Sequence, residues 1–271
     1  MLSTRIEVKS DDDRVSVKIS NNSTSSSSTT QTPLTFAGIF KANRLARLKN
    51  FPDSGDHLAI IEREKPADSE DFFEKLYSEY AFEYISGKVR KSFAKEDISF
   101  LLDDSLAQMQ GEDFYELWLI DMADICKIFC DIQKTDEVAF WLGSDRGCTR
   151  YHVDNVNYRL LVTYDGKGTQ WLPEGAADRD ALKNLEPNEN ILKDESAVQF
   201  INEWDVAIFR GGEGAEDNGV VHRTPDEALE NPSILMRLDH PKFLWDMEDS
   251  DDFEESDCES DEAHPIRNGC C

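Results

Sequence analysis

The chain has 271 residues, of which 39% are hydrophobic and 31% charged, and its formal net charge is -27 at pH 7. This excess of acid disfavours nucleic acid and anionic membranes as partners, because phosphate binding requires clustered Lys and Arg. No apolar run reaches the length of a transmembrane segment. The six cysteines are scattered along the chain, so we expect a reducing, intracellular location, the cytoplasm by default, with organelle targeting left open.

Both ends of the chain are predicted to be disordered. Residues 1–34 include the polar run NNSTSSSSTTQTP, and residues 246–271 form a tail that is mostly Asp, Glu and Ser up to residue 262. Neither segment has enough apolar surface to offset the conformational entropy that is lost when a chain becomes ordered. The ordered part of the protein is therefore expected between these two segments.

Residues 35–136 are predicted to be mainly helical. Over residues 69–84 the apolar side chains recur at spacings of three and four, and Gly87 is expected to end that helix. A second helix is predicted over about residues 96–108. A third begins near Asp113, because an acidic first turn suits the positive end of the helix dipole.

Two pairs of cysteines need separate interpretations. Cys126 and Cys130 lie four residues apart on the third predicted helix, beside Ile125 and Phe129. This setting favours packing in the core over metal binding. The terminal sequence 269–271, GCC, is similar to chain ends that receive geranylgeranyl groups, and lipidation of Cys270 and Cys271 is left open.

Residues 137–245 change to short β-like runs separated by Gly, Asp, Asn and Pro. Residues 174–195 are polar and are expected to form a long surface loop. Short strands with such spacing are typical of a sandwich or barrel. The predicted fold is α+β, with the helical N-terminal part packed on a C-terminal double-stranded β-helix, a cupin-like jelly roll. The predicted strands cover residues 138–142, 151–154, 158–164, 169–172, 197–201, 206–209, 220–222 and 234–238.

Three residues of the β-rich part are candidate metal ligands. His152 and Asp154 stand two positions apart in a strand-like run, so their side chains are expected on one face. His222 follows much later in the chain. Two histidines and one carboxylate are the ligand set that holds non-haem Fe(II) and leaves coordination positions open. The alternative is that Asp154 caps a turn and that backbone carbonyls satisfy both histidines.

Two arginines are candidates for binding a cofactor. Arg237 lies among Ile, Leu and Met in the last predicted strand, where a guanidinium is costly to bury without a partner. That partner is either Asp239 on the same strand face or the distal carboxylate of a bound keto acid, held by two parallel hydrogen bonds. Arg159 and Arg223 compete with Arg237 for the second role.

Four blocks of the sequence resemble the family known as domain of unknown function 1826. These blocks are YHVDNVNYRLLVTYDGKGTQWLP, DVAIFRGG, GVVHRTP and ILMRLD, and the resemblance covers roughly residues 40–245. Membership of this family implies no activity. Any statement about function therefore depends on the residues themselves and on the order of the motifs.

The order of the candidate residues resembles a second group of proteins. His152, Asp154, His222 and Arg237 follow one another as in Fe(II)- and 2-oxoglutarate-dependent dioxygenases of the double-stranded β-helix fold. This resemblance implies iron at the first three residues and 2-oxoglutarate at the arginine. Those enzymes often place Ser or Thr two residues after the arginine. Here that position is Asp239, whose carboxylate would repel a dicarboxylate co-substrate.

Three functions remain open from the sequence. The first is an Fe(II)-dependent oxygenase, with or without 2-oxoglutarate, acting on an unidentified small-molecule or protein substrate. The second is a non-redox protein that holds zinc with the same ligands, and the third is a β-sandwich interaction module without metal. Arg237 facing the metal favours the oxygenase, whereas Arg237 paired with Asp239 and turned away favours zinc.

Overall fold

The computed structural model describes residues 4–11, 14–21, 38–80, 82–144, 146–213 and 219–244. The predicted disordered tail, residues 246–271, lies outside these ranges. No helix in the described part of the chain combines the length and apolar character that crossing a bilayer requires.

Three helices account for most of the helical content, and the others are single turns. The longest, α4, begins at Asp113 with acidic residues in its first turn and ends at Gln133, after which Lys134 adopts a left-handed conformation. The α-helices are α1 Phe51–Ser54, α2 Ser69–Glu79, α3 Ala94–Leu106, α4 Asp113–Gln133, α5 Arg179–Lys183, α6 Asn188–Ile191 and α7 Glu227–Glu230. Five short 3-10 helices cover Leu45–Asn50, Lys91–Phe93, Ala107–Met109, Glu195–Ala197 and Pro241–Phe243.

Twelve strands in the described residues form two sheets. The large sheet has nine strands in the order β1-β2-β3-β4-β10-β7-β12-β6-β5, and the small sheet has three in the order β11-β8-β9. All neighbouring pairs are antiparallel except β3 and β4, which are parallel. The strands are β1 Thr4–Asp11, β2 Arg14–Asn21, β3 Ile39–Lys41, β4 Leu58–Ile61, β5 Tyr84–Arg90, β6 Glu137–Gly143, β7 Tyr158–Asp165, β8 Gln170–Leu172, β9 Gln199–Phe200, β10 Val206–Arg210, β11 Val221–Arg223 and β12 Ile234–Asp239.

The large sheet lies between the helices and the small sheet. Successive side chains of its central strands point to opposite faces. One set, which includes Leu160 and Val162 of β7, packs with the helices in the main core. The alternate set, including Leu161 of β7, enters a second core with residues of the small sheet. This alternation follows from the two-residue period of a strand. The face towards the small sheet is the one that carries Arg159, and it positions the candidate site.

The structure agrees with the expectation of a mixed helical and β-sheet protein, and it corrects several details. The helix predicted over 69–84 ends at Glu79, and an unpredicted strand, β5, begins at Tyr84. Strands β3, β4 and β5 come from the segment 35–136 and join the large sheet, which therefore crosses the boundary predicted at 136/137. The double-stranded β-helix stays a prediction.

Three further segments differ from their predictions. Strands β1 and β2 form a hairpin within the segment 1–34, each with three β-branched residues at alternate positions, and the remainder of that segment lies outside the described residues. The expected loop 174–195 contains α5 and α6 and contributes to a third buried apolar cluster. Residues 151–154 form no strand, although His152 makes an isolated bridge.

Candidate metal centre

The three candidate ligands come together where β11 meets the segment before β7. His152 and His222 face each other in an antiparallel bridge, in which each backbone N–H donates to the other residue's carbonyl oxygen at 3.0 Å. The centroids of their rings are 4.4 Å apart. With Asp154 they offer three ligand atoms that all lie within 4.8 Å of one another. The prediction that these three residues converge is confirmed, whereas metal binding stays a prediction.

Backbone contacts orient both imidazoles. Nδ1 of His152 lies 2.9 Å from the carbonyl oxygen of Arg150, and Nδ1 of His222 lies 3.0 Å from that of Val220. A carbonyl only accepts, so each Nδ1 carries the proton and donates it. In a neutral ring Nε2 is then an unprotonated acceptor. This is the usual outer-shell arrangement of metal-binding histidines.

The carboxylate of Asp154 faces these nitrogens. Its Oδ2 lies 3.3 Å from Nε2 of His222, and its Oδ1 lies 3.6 Å from Nε2 of His152. Oδ2 is buried and has no hydrogen-bond partner. Acceptors that face each other without a proton between them repel, and a cation removes that repulsion. The donor set therefore fits a divalent metal ion.

One distance between candidate ligand atoms is also that of a metal site. Two ligands with bonds of about 2.1 Å at angles between octahedral and tetrahedral lie about 3.0–3.4 Å apart. Oδ2 of Asp154 and Nε2 of His222, at 3.3 Å, are within that range. The side chain of His152 is 15% exposed, whereas those of Asp154 and His222 are 4% and 6% exposed. Access to the centre is therefore from the side of His152.

Arg159 holds the other oxygen of the Asp154 carboxylate. Its Nη1 donates to Oδ1 of Asp154, while Nε and Nη2 donate to the two oxygens of Asp239 at 2.9 and 3.1 Å. Burial alone would raise the pKa of Asp154, but the charge of Arg159 holds that pKa well below its usual range. Asp154 is therefore ionised, with Oδ1 engaged and Oδ2 directed at the histidines.

Arg237 lies on the same face of the large sheet, and Asp239 is a partner of its guanidinium. Nε of Arg237 is 3.1 Å from Oδ2 of Asp239, and the guanidinium carbon is 5.8 Å from the centroid of the Trp141 ring. Both arginines proposed as cofactor ligands therefore contact one carboxylate. The sequence had left Asp239 open as a partner of Arg237. It did not anticipate that Arg159 joins Asp239 to the candidate ligand Asp154, since no local pattern signals a contact 80 residues apart.

Two glycines hold the loop that carries Asp154. The N–H of Gly212 donates to the carbonyl oxygen of Asp154 at 2.8 Å. A Cβ added to Gly211 would lie 2.1 Å from the carbonyl oxygen of Val156 and 2.6 Å from that of Asp154. No larger residue fits there without moving the loop. These glycines end the block DVAIFRGG, and their pairing was the sequence signal available for a close backbone approach.

The fold and the site together define a helix-covered, two-sheet protein with a His-Asp-His group that could hold a metal ion. The chain belongs to the family described as protein of unknown function (DUF1826), whose profile matches residues 42–239. This confirms the resemblance seen in the four sequence blocks. None of the curated proteins matches the chain significantly.

Solved structures with some similarity include two of one full-length protein from Neurospora crassa. Its complex with alpha-KG is 10% identical, with a TM-score of 0.32 over 75% of this chain and 84% of that chain. Its complex with alpha-KG and 5-formyluracil is 9% identical, with a TM-score of 0.30 and the same coverage. TM-scores this low carry no argument about the activity of this chain.

Proposed function

We propose that the chain is a non-haem Fe(II)-dependent oxygenase whose metal is bound by His152, Asp154 and His222. The observation that supports this proposal is the buried Oδ2 of Asp154, which lacks a hydrogen-bond donor and faces Nε2 of His222 at 3.3 Å. Arg159 balances the charge of Asp154 through Oδ1, but a buried acceptor without a donor is still unfavourable. A divalent cation bound by these atoms supplies the missing partner of Oδ2.

The residues of the chain prepare this centre for oxygen chemistry. When iron is bound, it supplies oxygen activation, because three protein ligands leave further positions open. The two Nδ1–H groups hold the imidazoles in the ligating tautomer. Arg159 engages Oδ1 of Asp154, so that Oδ2 is the oxygen left for the metal. The exposed edge of His152 leaves an approach for a substrate.

The use of 2-oxoglutarate is the less supported part of the proposal. Arg237 lies on the face of the sheet that points at the centre, which suits a grip on the distal carboxylate of a keto acid. Asp239 contacts Arg237, however, and its own charge opposes a dicarboxylate. This pairing favours a second candidate, a protein that holds zinc in the same three residues without redox chemistry. Zinc accepts the same nitrogen and oxygen ligands.

Metal analysis of protein purified without oxygen tests the site itself. We expect about one equivalent of iron or zinc in the wild type, and loss of the metal in His152→Ala and in His222→Ala. His240→Ala is the matched control, because His240 lies outside the triad and caps a 3-10 helix. Metal content that is unchanged in both triad variants would exclude the proposed site.

A turnover assay then distinguishes the two candidates. The anaerobic Fe(II) protein is mixed with 2-oxoglutarate and oxygen, and succinate formation is followed with and without candidate substrates. Succinate formed by the wild type but not by His222→Ala supports the oxygenase. Tight zinc binding together with no binding of 2-oxoglutarate to the Fe(II) form would replace the oxygenase with the zinc protein.

A further inference from the structure

Arg146 is a buried arginine that has no acidic partner among the described residues. It is 5% exposed, and only its Nη1 has a hydrogen-bond acceptor, the carbonyl oxygen of Lys167 at 3.1 Å. Nε and Nη2 are buried and unpartnered. Burial lowers the pKa of Arg146 to about 10, and the group that opposes this shift is Tyr77, not a carboxylate. The guanidinium is still charged at neutral pH.

The two unpartnered nitrogens form one edge of the guanidinium. Nε–H and Nη2–H point the same way, and this edge matches the two oxygens of a carboxylate. Two other arginines of this chain show the pairing. Arg159 places Nε and Nη2 on the two oxygens of Asp239, and Arg90 places the same two atoms on Asp97. Arg146 presents the same edge without an acid.

A second unpartnered polar group lies close to the turn that Arg146 contacts. Ser233 is 1% exposed, and its Oγ has no hydrogen-bond partner. A Cβ added to Gly166, next to Lys167, would lie 2.7 Å from Cβ of Ser233. The nearby acid Asp165 is engaged elsewhere, since it accepts from Tyr77 and Lys65. Near the turn at residues 166–167, two nitrogens of Arg146 and the hydroxyl of Ser233 therefore have no hydrogen-bond partner.

This turn follows the end of β7 that is opposite to Arg159. Arg159, which contacts Asp154, is near the start of β7, whereas Asp165 is its last residue. Six residues of extended strand separate these two residues, about 20 Å along the strand. We therefore expect a small acid at Arg146 to bind independently of the proposed oxygenase or zinc chemistry.

We propose that Arg146 binds a small organic carboxylate through Nε and Nη2. A buried cation without a counter-charge is strongly unfavourable, and a carboxylate held by two parallel hydrogen bonds supplies that charge.

Calorimetric titration of the full chain with acetate and with succinate tests the proposal. We expect binding to the wild type that is about ten- to a hundredfold weaker in Arg146→Gln, as for the loss of a charge-assisted pair. Arg146→Lys should bind the carboxylate with intermediate affinity, since an ammonium has the charge but lacks the two parallel N–H donors of a guanidinium. Arg150→Gln is the matched control, because Arg150 donates to the carbonyl oxygen of Glu186. Chelating the metal should leave the affinity unchanged.

Thermal unfolding supplies a second measurement that does not depend on knowing the best acid. Without added ligand, Arg146→Met should unfold at the temperature of the wild type or above it, because it removes an uncompensated charge. Succinate should stabilise the wild type and not the variant. The proposal is overturned if Arg146→Met unfolds several degrees lower while no carboxylate binds the wild type. Equal affinity in Arg146→Gln, affinity that depends on the metal, or a preference for inorganic phosphate would also overturn it.

Discussion

The two faces of the large sheet are built from the same strands but have different chemistry. Towards the helices, β7 and β12 present only Leu, Val, Ile, Met and Tyr, packed into one extended core. Towards the small sheet, the alternate positions of the same strands include Arg159, Arg237 and Asp239, beside the triad. On the face towards the helices, these two strands present no charged side chain. On the face towards the small sheet, they present a row of paired charged side chains. Stability and candidate function are therefore divided between the two faces of one sheet.

The polar contacts show how differently the two faces are stabilised. The helix face includes Tyr164, whose hydroxyl donates to Asp121, itself paired with Arg63 at the edge of that core. On the other face Asp154, Arg159 and Asp239 are bonded in series, and one oxygen of Asp154 is left over. A network that is satisfied except at one atom indicates the position of a missing partner. The following predictions test this division.

The largest expected effect is on the helix face. Trp118 is completely buried and contacts the rings of Phe72, Phe73 and Tyr164. Trp118→Ala should lower the free energy of unfolding by about 3–5 kcal/mol, as for other large-to-small changes in a core. Urea unfolding measures the loss, and zinc titration of the remaining folded protein should give the wild-type affinity. A large change in that affinity would show that the two faces are not independent.

The two cysteine thiols in the core on the helix face should be unreactive towards alkylating reagents. Burial raises the pKa of Cys130 from 9.0 to about 11, and Cys126 beside it is fully buried. Both therefore pack in the core as predicted. At pH 8 the thiolate fraction of Cys130 is about a hundredfold lower than that of an ordinary cysteine. Alkylation followed by mass spectrometry should find both thiols unmodified in the native protein, with the rate rising as the pH approaches 11. Rapid modification at pH 8 would contradict this assignment.

On the other face, the substitution expected to alter the metal centre without removing a ligand is Arg159→Met. It frees Oδ1 of Asp154, and the loss of an outer-shell contact typically weakens metal binding about ten- to a hundredfold. Arg159→Lys should recover part of the affinity. The double variant Arg159→Met with Asp239→Leu removes the charge that would otherwise be left buried, so it should regain stability but not affinity. A metal affinity in Arg159→Met equal to that of the wild type would refute the role of Arg159 in positioning Asp154.

The smallest expected effect on metal binding is that of Arg237→Ala. Arg237 contacts Asp239, which is not one of the three ligands, so the metal affinity should change by less than about threefold. If a keto acid is the co-substrate, its affinity for the Fe(II) form should fall about ten- to a hundredfold. Titration of the anaerobic wild type and the variant with 2-oxoglutarate measures this. Equal affinity in both proteins would remove Arg237 from the list of cofactor ligands.

The candidate ligands and the main helices can be predicted from the sequence alone. His152, Asp154 and His222 follow from residue chemistry and from a spacing of two, and the structure brings them within 4.8 Å. Helices α2, α3 and α4 follow from apolar periodicity and acidic first turns, signals that are contained within a few turns of chain. Signals of this kind lie within a short stretch of sequence, so they can be read without knowledge of the fold.

Only the tertiary structure decided the partners of the arginines and the membership of the sheet. Arg159 was predicted to hold a cofactor, but strand pairing places it between Asp154 and Asp239. Strand β5 has Ser, Gly, Lys and Arg among its residues, and pairing along the edge of β6 makes it a strand despite that composition. Contacts between residues 80 positions apart depend on the register of every strand between them, and no local pattern encodes that register.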